Sequence, residues 1–462
     1  MSRGIKQERG FAMSEDLRKP EIENLLRERN WRALKTKLKE LPPPDVADLL
    51  EEIPTRDRVI MFRLLPKSMA TDVFENLEAE AQKALLEAFS DAEAAPLLEE
   101  MSPDDRTELL EELPDRVTRR VLRLLSPEQR KIAQRLLAYP EDSVGRLMTP
   151  DFAKVRKQWT CREAIKHIRW LALNKETIYY LYVVDNENHL MGVVSLKDIV
   201  LAPQDNPLWE LAENEPIHVL TNTDQEEAVQ LLRRYDLQAL PVVDSAKHLV
   251  GIVTFDDLMD VQAEETTEDM QKMAAIVPTE KPYFEIRFSE IFAKRVIWLI
   301  VLGVAGIFSA SVIRYYHTNF PPELVVALAF FIPLLMGTGG NAGSQMAALM
   351  IRGLATGEVA TQDYMRLLKK EILMGVALGC SLSIVGFIIA WILKGDPQIG
   401  IILGLAMIAT ITAANFVGFS LPLLFKTIGL DPAFMSGPVL TTITDVVGLV
   451  IYFNITLIIL RF

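Results

Sequence analysis

The chain has 462 residues, half of them hydrophobic and 24% charged, with a mean hydropathy of +0.17. It is too long for one ordinary domain, and this mixture suits a chain divided between a soluble part and a membrane part. From Phe292 onward there are 10 Lys+Arg against 7 Asp+Glu, whereas the preceding region holds 39 against 55, a net of −16. So acidic a region lacks the basic surface that phosphate backbones require, which excludes nucleic acid and leaves cations or basic partners. Cys161 and Cys380 are too far apart in sequence to indicate a disulfide framework or a cysteine metal cluster. The polar start, MSRGIKQERGFAMSEDL, shows no cleavable signal, so the region before the first span is expected to stay in the cytoplasm, with residues 1–20 as a disordered tail.

Residues 21–139 read as an acidic helical solenoid. Between Leu49 and Ala138 the windows LLEEIP, MFRLLP, VFENLE, LLEAFS, LLEEMS, LLEELP and VLRLLS recur every twelve residues. Each reads as a short amphipathic helix closed by a polar or proline turn, and SPDDR and SPEQR supply a Ser N-cap with Pro at the first helical position. Helices stacked at a fixed period bury their apolar faces only against neighbours. Such a solenoid also suits a plain adaptor surface.

A second repeat follows. Tyr182–Val200 aligns without gaps on Pro241–Met259, 59 residues later. The shared pattern is an apolar strand, an Asp turn, a second strand at Gly192 or Gly251, then Ser195 or Thr254 opening a helix that carries Asp198 or Asp257 in its first turn. This tandem unit resembles a pair of CBS domains, over residues 140–200 and 201–260. The resemblance implies adenine nucleotide binding, with Asp198 accepting from ribose hydroxyls and Tyr180 stacking on the base. The same Ser/Thr–Asp pairs also serve as simple helix caps.

Residues 261–290 read as an acidic connecting helix and linker. Glu265, Glu268 and Asp269 are spaced by three and four and so share one helical face, with Asp260 and Glu264 nearby, and Pro278 and Pro282 are expected to end the helix. A solvated face or a divalent-cation site both fit.

Residues 291–462 hold five apolar runs, at about Val296–Ile313, Leu324–Ile351, Ile372–Leu393, Ile399–Phe425 and Pro438–Leu460. Each approaches or exceeds the length that crosses hydrocarbon as a helix. With the N-terminus inside, Lys294, Arg295, Arg352, Arg366, Lys369, Lys370 and Lys426 flank the cytoplasmic side, against Arg314, Lys394 and Arg461 outside. The expected class is therefore multidomain: all-α solenoid, α/β CBS pair, and an all-α membrane domain of five transmembrane helices.

Asp445 is the acid placed well inside a span; Glu323, Glu358, Asp363, Glu371, Asp396 and Asp431 are expected in loops or at helix ends. A carboxylate in lipid is costly and points to an ion pathway, although a protonated Asp bonded to a neighbouring Thr is the alternative. In GTGGNAGSQ, glycines such as Gly340 accompany Asn341, Ser344 and Gln345, a pattern for a pore lining or for close helix packing, and Asn415 is a weaker candidate. Oxygen ligands without Cys or His indicate a hard divalent cation, and five helices are few to enclose a pore, which favours a homodimer in the bilayer. A membrane-anchored adenylate sensor and a carrier of Mn²⁺ or Co²⁺ remain open from the residues; no nucleophile–base pair or phosphate loop suggests an enzyme.

With GTGGNAGSQ, DPAFMSGP and TDVVGLVIYF in place, the chain resembles the MgtE-type magnesium transporters along nearly its whole length. The resemblance implies a homodimeric Mg²⁺ channel of the inner membrane that high cytosolic Mg²⁺ closes. It places Asp445 at the pore with Gly448 one turn on, and Asp431 at the cytoplasmic mouth. It assigns Mg²⁺ sensing to Asp104 and Glu108 in the solenoid, Asp224, Glu226, Asp236 and Asp257 in the second CBS unit, and Asp260, Glu265, Glu268 and Asp269 in the connecting helix. Glu108 stands where an aspartate is expected, and Leu237 where an aromatic is expected. ATP at Tyr180 and Asp198 is the expected nucleotide.

Overall fold

In the computed structural model, residues 24–171, 175–279, 286–435 and 437–460 are described, together with Ile22 and Tyr283; the expected N-terminal tail lies outside them. The chain divides into two compact units, Met1–Met259 and Asp260–Phe462.

From Trp31 onward, after a helical turn at 24–27, the first unit stacks nine short helices: α1 (Trp31–Leu38), α2 (Pro43–Glu51), α3 (Thr55–Leu64), α4 (Lys67–Glu75), α5 (Ala79–Ala88), α6 (Asp91–Glu100), α7 (Pro103–Glu112), α8 (Asp115–Leu124) and α9 (Pro127–Leu136). Helices two apart pack on each other, so α2, α4, α6 and α8 form one column and α3, α5, α7 and α9 the other. The apolar positions of every twelve-residue window meet in one continuous core that includes Leu50, Phe62, Phe74, Leu86, Leu98 and Leu110.

The polar bracing has twice that period. A helix ends with carbonyls that no intrahelical partner satisfies, and starts with N–H groups in the same state. Arg58 Nε donates to Leu50 O at 2.8 Å, Gln82 Nε2 to Phe74 O at 2.8 Å, Arg106 Nη1 to Leu98 O at 3.1 Å and Arg130 Nε to Leu122 O at 2.6 Å, each reaching back eight residues. In the alternate helices, Glu51, Glu75 and Glu99 accept from the N–H of Glu78, Ser102 and Ser126, each 27 residues on, at 2.6, 2.9 and 3.0 Å. Both series step by 24 residues. Each carboxylate lies at a helix N-terminus, where the positive end of the macrodipole favours it.

After α10 (Val144–Leu147) come two α/β motifs. β1 (Phe152–Arg156), α11 (Cys161–Leu171), β2 (Thr177–Val184), β3 (Leu190–Ser195), α12 (Leu196–Leu201) and β4 (Glu213–Asn214) give a sheet in the order β1-β2-β3-β4. β5 (Val219–Leu220), α13 (Gln225–Arg234), β6 (Ala239–Val243) and β7 (Leu249–Thr254) give β5-β6-β7. In both, the leading strand pairs parallel and the hairpin antiparallel. The hairpin turns meet at a bridge of His189 with His248, whose rings stack 4.6 Å apart, each ring bonded through Nδ1 to its own Asp185 or Asp244. α14 (Phe255–Met273) follows β7 directly. It stops before either expected proline, because Ala275 takes φ 53° and the N–H of Ile276 closes on Gln271 O at 2.9 Å.

The second unit holds α15 (Phe288–His317), α16 (Pro322–Ala329), α17 (Ile332–Ala355), α18 (Tyr364–Lys394), α19 (Pro397–Thr427) and α20 (Pro438–Leu460). Four of these are each long and apolar enough to cross a membrane, and α16 with α17 makes a fifth span bent by 43°. Pro333, second residue of α17, lacks an N–H and disfavours helical geometry just before it, which accounts for the bend at Phe330–Phe331. α19 is the most buried helix and packs along α18, where Gly375 and Gly379 let the backbone at Thr412 and Ile408 approach.

Candidate functional site: a membrane carboxylate and two acid clusters

Asp445 lies two turns into α20, at the border of the buried stripe formed by Leu440, Thr444, Gly448 and Tyr452. It is half-buried, and among the described residues its carboxylate has no hydrogen bond or ion pair. The helices around it meet through glycines. A Cβ at Gly448 or at Gly339 would lie 2.9 Å from the Thr410 methyl; Gly340 faces Thr441, and Gly343 faces Ala414 O and Thr444. Gly340 and Gly448 thus hold α17, α19 and α20 in close contact, while Asn341 is exposed on α17. On α19, Thr410 Oγ1, Asn415 Oδ1 and Ser420 Oγ are buried without a hydrogen-bond partner among the described residues. Unmet buried oxygens of this kind mark places for water or an ion.

Glu371 departs from expectation. The apolar run starts at Ile372, which suggested a helix end, but α18 begins eight residues earlier, so Glu371 lies inside the helix and is 7% exposed. Hydropathy alone locates the apolar stretch and not the helix start.

In the first unit, four separate segments bring acids together. Asp104, in the first turn of α7, has an Oδ1 that is buried without a partner. Burial, with the charges of Asp257, Asp105 and Glu176, holds its carboxyl well above the usual range. Asp257 is pushed up to about 6 by burial, even though it accepts from Thr254 N–H and Oγ1, with Asp256 and Asp105 adding to the rise. Glu75 is pushed up to about 7 by burial and then by Asp105, against the lowering effect of Ser102 N–H. Glu176 still reaches solvent, and is raised by desolvation and by Asp257, Asp105 and Asp256. Arg106 is close and fully buried, but its guanidinium donates to Leu98 O, Met101 O and Gln129 Oε1. Among the described residues no three acids converge at ligating distance. Oxygen donors, uncompensated charge and an orphaned buried oxygen nevertheless fit a hydrated hard cation. Glu108, one turn beyond Asp104, is exposed.

The remaining acids of the second CBS unit are not assembled in this way. Asp224 caps α13 by accepting from Glu226 N–H at 2.8 Å, Glu226 is exposed in the first turn, and Asp236 lies past the other end at φ 50°. At 1.5 Å per residue, Asp224 and Asp236 are about 15 Å apart or more, too far to share one ion within a chain.

In the second unit, the C-terminal part of α14 meets the loop before α20. Lys272 Nζ bonds Asp431 Oδ2 at 2.6 Å and Glu268 Oε1 at 2.8 Å. Asp269 is pushed up to about 6 by burial and then by Asp431, with Lys272 opposing and Glu265 and Glu268 adding. Asp260, at the far end of this segment, is exposed.

Tyr180 on β2 pairs in register with Ser195 on β3, and Ser195 Oγ bonds both the N–H and the carboxylate of Asp198. The structure so brings Tyr180 and Asp198 to one end of the first sheet. Four residues escaped the sequence reading: Glu75, Asp105, Glu176 and Lys272.

A glycine-pinned bundle of apolar helices that carries Asp445 within a span, unpaired among the described residues, joined to a helical solenoid and a CBS pair rich in crowded acids, defines a cation-transport protein rather than an enzyme. Family models agree segment by segment: a divalent cation transporter, MgtE, over residues 332–455, the MgtE intracellular N domain over 41–142, and CBS domains over 144–205 and 209–264. The chain belongs to the MgtE family. It is 39% identical over 334 residues to the magnesium transporter MgtE of Thermus thermophilus, covering 72% of this chain and 73% of that one. It is 36% identical to the magnesium transporter MgtE of Enterococcus faecalis, over 71% and 72% respectively. A crystal structure of the cytosolic domain of the Mg²⁺ channel MgtE in complex with ATP matches with a TM-score of 0.50 and 38% identity, over 52% of this chain and 98% of that one.

Proposed function

We propose that the chain is a homodimeric Mg²⁺ channel or transporter of the inner membrane, with its soluble unit cytoplasmic, its C-terminus outside, and its pore closed when cytosolic Mg²⁺ is high. The observation that carries this reading is Asp445, a carboxylate without a partner among the described residues, at the border of the buried stripe of a helix that holds no other charged residue. Retaining an unpaired carboxylate there is costly unless it faces a water-filled path, and a second copy supplies the other wall and a second carboxylate. Two such groups suit a divalent ion that keeps its water. Gly340, Gly448 and Asn341 support the site, the glycines by letting α17, α19 and α20 approach the carboxylate's level.

Closure rests on Asp104, Glu108, Asp224, Glu226, Asp236 and Asp257 in the first unit, and on Asp260, Glu265, Glu268, Asp269 and Asp431 in the second. Bound Mg²⁺ supplies positive charge that offsets repulsion among these carboxylates. Without it the acids favour separation of the elements that carry them, and the pore stays open. The closed state gains only what the ion binds more tightly there. Tyr180 and Asp198 are the proposed contacts for ATP, in line with the relative crystallised with it.

The test is flux into liposomes containing the purified chain. Asp445→Ala is expected to reduce Mg²⁺ uptake to that of empty vesicles while dimers still form; ordinary uptake would overturn the pore assignment. Equal transport of Mn²⁺ or Co²⁺ in competition would replace Mg²⁺ as the cargo, and absence of all flux would favour the anchored adenylate sensor.

A further inference from the structure

The contact between α14 and the loop before α20 contains its own cation. Lys272 is in the last turn of α14, where a positive charge complements the helix dipole. Glu268 precedes it by four residues, the favoured order for such a pair on a helix. The same ammonium reaches Asp431 Oδ2, 159 residues away in sequence, and its side chain is only 18% exposed. Asp431 cannot easily turn away, because its other oxygen accepts from Ala433 N–H at 2.8 Å. The lysine is positioned by the chain that follows: Gln271 bonds Thr279 through both amide atoms, at 2.8 and 3.1 Å, and Lys294 Nζ holds Pro278 O.

From this geometry we propose that Lys272 is a tethered competitor for the regulatory cation: its ammonium occupies the oxygens of Glu268 and Asp431, and a divalent ion must displace it to bridge them. This inference rests on the reading of Glu268, Asp269 and Asp431 as sensing residues. One positive charge against these three acids leaves the group negative, so a divalent ion is still attracted. The ion must, however, break two short charge-assisted hydrogen bonds first. The lysine thereby sets how much ion is needed for closure without taking part in conduction. It also explains how the acids of α14 stay near the mouth loop when no divalent ion is bound.

The experiment titrates Mg²⁺ into the full-length protein in lipid nanodiscs and follows amide hydrogen exchange over residues 260–273, with channel recordings in parallel. Lys272→Met is expected to lower the midpoint of exchange protection by about threefold to tenfold, the scale of one or two partly exposed ion pairs. Lys272→Gln should behave alike, which guards against a folding defect peculiar to one variant, and Lys272→Arg should stay within about twofold of the parent. An unchanged or raised midpoint in both neutral variants would overturn the proposal, the raised one by showing that the lysine only fastens the closed form. Asp431→Asn separates the two claims: a normal Mg²⁺ response there would refute the sensing role of the mouth acid itself, whatever the lysine variants do.

Discussion

Two acid clusters in the molecule handle the same electrostatic difficulty differently. In the first unit, Glu75, Asp104, Asp105, Glu176 and Asp257 crowd together, and the nearby cation, Arg106, directs Nη1 and Nη2 to two helix-end carbonyls and Gln129, while its Nε is buried without a partner among the described residues. In the second, Glu268, Asp269 and Asp431 surround Lys272, which is bonded to two of them. Proximity of a positive group is therefore not the same as compensation. What counts is whether its hydrogen bonds are free to reach the carboxylates. The first cluster is left to protons or an external ion; the second is partly neutralised from within.

The sharpest way to break the contrast is at Arg106. If its task is bracing, Arg106→Met should destabilise the first unit by about 3 kcal/mol, because two buried carbonyls lose their donor, while the Mg²⁺ midpoint changes little. Chemical unfolding monitored by circular dichroism reads the first quantity and closure titration the second. Next in size, Asp104→Asn combined with Asp257→Asn should raise the Mg²⁺ needed for closure by more than about tenfold, equivalent to at least 1.4 kcal/mol. A shift no larger than that of a distant surface acid would mean the first cluster is not a sensor.

A pH titration without divalent ions sharpens the comparison further. Glu75 and Asp257 have native pKa values raised above their unfolded ones, so their native state is favoured below the unfolded value and loses that advantage as pH climbs through about 6 to 7. Thermal unfolding should show the first unit losing about 1–2 kcal/mol between pH 5 and 8, after discounting for solvent screening, with Mg²⁺ restoring most of it at pH 8. Stability that rose over this range would contradict the assigned direction. The smallest effect is expected at Glu176, which still reaches solvent: Glu176→Gln should weaken Mg²⁺ binding by about twofold, seen by calorimetry on the whole protein.

Much of the architecture is legible in the chain. The twelve-residue apolar windows, the duplicated α/β motif and the apolar runs are local, and hydrophobic periodicity reports local structure. Asp445 is legible for a related reason, since one acid in an apolar run is conspicuous. The bracing of the solenoid is not, because the partners of Glu51, Glu75 and Glu99 are backbone N–H groups 27 residues on, and backbone donors leave no mark in a sequence. Glu75, Asp105 and Glu176 look like ordinary solvated acids until four segments fold together. Lys272 lies in a visible i,i+4 pair with Glu268, but nothing local announces Asp431. The helix containing Glu371 starts earlier than its apolar run, and that start is hidden because Arg366, Lys369 and Lys370 make its first two turns resemble a loop.

The alternating braces of the solenoid carry an evolutionary consequence. An extra single helix would exchange the two columns, setting arginine where glutamate is needed and leaving every later brace facing the wrong neighbour. Growth or shrinkage of this region should accordingly proceed by helix pairs, and relatives differing in length here should do so in blocks of about two dozen residues.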